Sequence, residues 1–101
     1  MKQLNFLVVG RNNEIIKILK RIILTNFYST ATITNNLGDF YEIILNREVD
    51  VVLLSSGLET EEESQIKEFI KTYNPTIKII EHYGGGSGLL KSEVLMEFPN
   101  L

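Results

Sequence analysis

The residues best suited to chemistry gather in two stretches of the 101-residue chain. One is His82-Tyr83-Gly84-Gly85-Gly86-Ser87-Gly88, which carries the single histidine of the protein. Its consecutive glycines can turn backbone N–H groups toward one point just ahead of a helix. Such a loop binds phosphate or carboxylate without any cationic side chain. The other is Ser55-Ser56-Gly57, whose hydroxyls would become nucleophiles if His82 served as their general base. Arg11 and Asn12, at the end of an earlier apolar run, would add a positive charge and an amide to the same place. Each pattern also has a plainer account. Glycines permit positive φ in a tight strand-to-helix connection, with Ser87 as an ordinary helix cap. The loop matches neither GxGxxG nor the phosphate-binding loop that ends in GK[ST]. Glu81, the acid beside His82, points to the opposite face of a strand, so it does not orient the ring. The chain is therefore read as non-enzymatic, and the glycine loop as either a small-anion site or a hinge.

Composition narrows the classes further. With Cys 0 the chain has no disulfide framework and no thiolate nucleophile. One histidine cannot build a structural zinc site, so no metal and no cofactor are expected. The formal net charge is -3 and the basic residues are dispersed, which argues against a nucleic-acid partner. Lys17, Lys20 and Arg21 share one helix as a solvated face. Hydrophobic residues make up 44%, enough for a real core. Met1 to Asn5 lead directly into a strand-like run without the features of a signal peptide. No apolar stretch reaches the ~20 residues of a membrane span, so no membrane role and a cytoplasmic location are expected.

The elements that must position these groups alternate. Phe6-Leu7-Val8-Val9 reads as a strand apolar on both faces, as in the centre of a parallel sheet. A helix from about Glu14 to Asn26 follows, with Ile15, Ile18, Leu19 and Ile22 as its stripe, widened by Ile16 and Ile23. Tyr28 to Thr34 has the alternation of an edge strand, with Ala31 and Ile33 on one side. A second helix, ending near Arg47, turns Leu37, Phe40, Tyr41 and Ile44 inward. Val51-Val52-Leu53-Leu54 is the third strand. Thr60 then serves as N-cap of a third helix, with Glu63 completing a capping box and Ile66, Phe69 and Ile70 as its core positions. The acids Glu59, Glu61, Glu62 and Glu63 suit a helix N-terminus and need no catalytic role. Ile77 to Glu81 forms the fourth strand, and Leu89 to Glu97 the last helix. This alternation specifies an α/β domain spanning residues 1–101: three layers, a parallel sheet of four βα units, and strand order 2-1-3-4.

With this element order, the short first strand, and Val49-Asp50-Val51-Val52-Leu53-Leu54 before a turn, residues 4 to 98 resemble a bacterial response-regulator receiver of flavodoxin-like fold. The resemblance implies an acidic, magnesium-holding pair after strand 1, where this chain has Gly10 and Arg11. It implies a phospho-accepting aspartate at the end of strand 3, where Ser55 stands, and a Thr or Ser at Glu81 or His82. The conserved lysine belongs to a fifth strand that this sequence does not reach. The expectation is thus a pseudo-receiver, an interaction module for a protein partner or for itself. The last helix, with Leu89, Leu90, Val94, Leu95 and Phe98, carries more apolar surface than one stripe needs. It is expected either to fold back beside the first helix or to form a homodimer interface, the latter preferred.

Overall fold

Strand formation follows from residue type: β-branched and aliphatic runs, too short for a stable helix, are bounded by glycine, asparagine and serine. In the computed structural model of the chain, which describes residues 3–27, 29–82 and 87–99, these runs are β1 (Asn5–Val9), β2 (Thr30–Thr34), β3 (Val51–Ser55) and β4 (Lys78–His82). Between and after them lie α1 (Asn13–Asn26), α2 (Leu37–Asn46), α3 (Thr60–Tyr73) and α4 (Ser87–Glu97). The sheet is wholly parallel, in the order β2-β1-β3-β4. The sequence expectation of a three-layer, four-unit fold is met.

Side-chain alternation divides the core in two. Phe6, Val8, Val51, Leu53 and Ile80 point to one face of the sheet and pack with Ile16, Leu19 and Ile23 of α1 and with Leu90 and Val94 of α4. Leu7, Val9, Val52 and Leu54 point to the other, against Phe40 and Ile44 of α2 and Ile66 and Ile70 of α3. Both faces of β3 are closed to solvent, so its apolar residues each contribute roughly 1.5–3 kcal/mol of burial. On the α2–α3 side a ladder of rings, Phe40, Tyr41, Phe69 and Tyr73, runs at centroid distances of 5.0 to 6.2 Å.

Three expectations are corrected. Helix α1 is rolled so that Ile16, Leu19 and Ile23 are its buried stripe, while Ile18 is 53% exposed. The N-cap of α3 is Glu59, one residue before Thr60, and the Glu59 N–H donates to Oε1 of Glu62 at 3.1 Å. The side chain three residues beyond the cap is therefore Glu62 rather than Glu63. Finally, Leu90 and Val94, expected on a partner-facing surface, are fully buried in the chain's own core, and Phe98 packs against it. Helix α4 folds back beside α1 because β4 leaves that side of the sheet uncovered. Leu95 is half-buried, and the side chain of Leu89 lies outside the described residues.

Candidate functional site

Open parallel sheets place their sites at the strand C-termini, where the order reverses between β1 and β3. Gly10 and Arg11 arrive from β1, Ser55 and Ser56 from β3, and His82 from β4. Gly10 is fixed by its N–H to the Thr34 carbonyl at 3.2 Å. It sits so close to β3 that a Cβ added there would lie 2.8 Å from Cβ of Ser55 and 2.8 Å from Cγ2 of Ile16. Only a residue without a side chain fits. Gly57, at φ +94°, turns the chain from β3 toward α3 and passes against Cβ of Arg11.

Arg11 is spoken for. Its guanidinium forms a two-pronged ion pair with Glu62 and donates to the Asn35 carbonyl at 2.9 Å. One side chain thus ties the β1–α1 turn to the end of β2 and to the first turn of α3. The hydrogen bond from Arg11, with a second from the Glu59 N–H, holds the Glu62 carboxyl below the usual carboxylate range. The same hydrogen bond raises Arg11. Asn12 is the N-cap of α1, its Oδ1 accepting from the N–H groups of Glu14 and Ile15 at 3.0 and 3.1 Å. Of the expected ligand-binding residues, Arg11 and Asn12 therefore have structural partners, and Ser56 sits half-buried in the turn after β3.

Ser55 and His82 are register partners across β3 and β4, on the face that α1 and α4 cover. His82 is 5% exposed, and its Nδ1 lies 2.5 Å from Oε1 of Glu93 on α4. The ring is oriented after all, by an acid eleven positions away in sequence. Yet Ser55 Oγ, fully buried, makes no hydrogen bond among the described residues, with His82 or with any other. Serine, histidine and glutamate are near one another without the serine–histidine contact that nucleophilic catalysis starts from. Gly84, Gly85 and Gly86 lie outside the described residues, as does the side chain of Ser87.

The magnesium ion that the receiver resemblance implies does not fit these residues. A carboxylate at position 10 has no room, position 11 is a cation held by Glu62, and position 55 offers a neutral hydroxyl. Among the described residues no group of three or more His, Asp or Glu side chains is placed to hold a metal. Nor is any helix among them long and apolar enough to cross a membrane.

Element order, sheet topology and the packing of two helices on each face define the fold of a signal receiver domain. Among solved structures, the chain is similar to the signal receiver domain of an HD domain-containing protein from Pseudomonas fluorescens Pf-5, with a TM-score of 0.70 at 18% identity. The match covers 93% of this chain and 74% of that one. No family model and no curated protein matches the chain.

Sequence reasoning missed the two pairs that organise this rim, Arg11–Glu62 and His82–Glu93. Arg11 and Glu62 belong to different βα units, and His82 and Glu93 stand eleven positions apart across the β4–α4 connection, so neither pair leaves a local spacing signal. The excess of acid at the start of α3 was the only hint of the first.

Proposed function

We propose that the chain is a non-catalytic pseudo-receiver, a protein-interaction module of signalling type whose state does not depend on phosphorylation. The observation that carries this reading is the closure of the β1–β3 switch point. Gly10 lies against Ser55 where receivers hold carboxylates and a phospho-accepting aspartate, and Arg11 is committed to Glu62. Phosphoryl transfer needs a nucleophile, a hard cation and positive groups on the phosphoryl oxygens, all converging on one open point. Here that point is filled by packing. The remaining capacity of such a fold is to present surfaces, and a fold scaffold serves many functions of that kind.

The test is incubation of the whole chain with acetyl phosphate and magnesium, followed by intact-mass measurement. An unchanged mass is the expected result. A stable gain of one phosphoryl group that disappears in Ser55→Ala would overturn the pseudo-receiver reading. The small-anion alternative is tested by thermal unfolding with phosphate, nucleotides and carboxylates. A midpoint that does not move is expected, since ligands of the native state alone raise it by mass action.

A further inference from the structure

We propose, building on the interaction-module reading, that a second copy of this chain docks along the free edge of β4, joining two sheets into one of eight antiparallel-joined strands. Among the described residues β4 pairs with β3 on one side only. The Lys78 N–H donates inward to the Asp50 carbonyl at 3.1 Å. In a parallel ladder both backbone groups of a residue point the same way and alternate along the strand. Lys78, Ile80 and His82 therefore face β3, and Ile79 and Glu81 turn their N–H and C=O groups outward.

Edges are normally blunted by charged side chains, proline or a bulge. β4 has neither proline nor bulge, and its polar side chains are drawn away from the edge onto the flanking helices. Lys78 reaches Glu97 at 3.9 Å and His82 reaches Glu93 at 2.5 Å, both on α4, while Glu81 pairs with Lys67 on α3. What is left on the edge is backbone.

Register follows from what must be satisfied. With Ile80 opposite the partner's Ile80, Ile79 faces the partner's Glu81 and Glu81 faces the partner's Ile79. All outward groups of those residues then bond. A register centred on Glu81 sets two carboxylates opposite each other. One centred on Ile79 requires Ile77, whose N–H is already given to the Asn74 carbonyl at 3.1 Å.

The helices on each side of the joint are self-complementary under the same two-fold axis. The Lys67–Glu81 pair turns the α3 row Glu63, Lys67, Lys71 toward the edge, four residues apart. An antiparallel copy brings Glu63 to the partner's Lys71, twice. On α4, Met96 lies three residues beyond Glu93 on the outward flank and is 84% exposed, the most exposed large hydrophobic side chain among the described residues. It meets the partner's Met96.

Sedimentation velocity and light scattering on the whole chain test this. The expected mass is twice 11.5 kDa over a wide concentration range. Glu81→Pro, at an exposed position whose N–H points outward, should yield a monomer with unchanged circular dichroism. Lys71→Glu should weaken association about tenfold or more, and the swap Glu63→Lys with Lys71→Glu should restore it. A wild-type monomer, or a dimer indifferent to Lys71→Glu and to the swap, overturns the proposal. If Glu81→Pro disturbs the fold, the charge reversal and its rescue decide alone. A monomer that also resists acetyl phosphate removes edge pairing and leaves the pseudo-receiver reading standing, whereas phosphoryl labelling removes that reading whatever the mass in solution.

Discussion

The β1–β3 switch point and the β4–α4 junction are both strand C-termini, and they are built by opposite means. At the switch point the decisive feature is missing atoms: Gly10 without a side chain lets β1 and α1 close on Ser55. At the junction the decisive feature is a polar contact, the ring of His82 held by the Glu93 carboxylate of α4. The contact of Gly10 with Ser55 and Ile16 is steric. The second is a hydrogen-bonding contact between a buried ring and a half-buried carboxylate, where removing one partner leaves the other unsatisfied. The contrast is between a place where backbone and core side chains meet directly and one where a polar pair joins a strand to its helix.

Four substitutions or conditions would break or sharpen that contrast. The largest effect is expected from Leu90→Ala, which empties a fully buried position beneath α4 and should cost about 3 kcal/mol by denaturant unfolding. A loss below about 1 kcal/mol would mean that α4 is not part of the core. Next comes Gly10→Ala. With backbone and Ser55 unable to retreat far, the new methyl should destabilise by about 2 kcal/mol, and a neutral result would show the switch point to be loosely packed. Glu93→Ala strands Nδ1 of a buried histidine and should cost about 1.5 kcal/mol, with Leu90 packing retained. If the unfolding midpoint did not move, the junction would be ornamental.

The smallest effect is pH dependence at Arg11–Glu62. Glu62 titrates lower in the folded chain than in the unfolded one, so its contribution is present at neutral pH and above. It is lost as pH falls below the ordinary carboxylate range and through the lowered folded value. Unfolding midpoints of Glu62→Gln should therefore fall less steeply on acidification than those of the wild type. Added salt should narrow the difference, because Arg11 is largely exposed.

Local pattern carried the fold a long way. The doubly apolar runs of β1 and β3, the Thr alternation of β2, and the stripes on α2 and α3 are one-dimensional records of which face is buried. The α1 stripe was read one flank too wide, because a helix rich in isoleucine on several sides does not state its roll; contact with β1, β2 and α4 selected Ile16 and Ile23 over Ile18. The cap of α3 slipped by one residue because Glu62, drawn by Arg11, answers a distant charge rather than the nearest threonine.

By itself, then, the sequence determined the element order, the parallel sheet and which residues, Gly10, Arg11 and Ser55, end the first and third strands, since these depend on residue type and short-range periodicity. Only the tertiary structure decided that α4 folds back on α1, that Glu93 orients His82, and that Arg11 is neutralised by Glu62. Those outcomes join residues far apart in the chain, and the energy of such contacts depends on distances that spacing along a sequence does not encode.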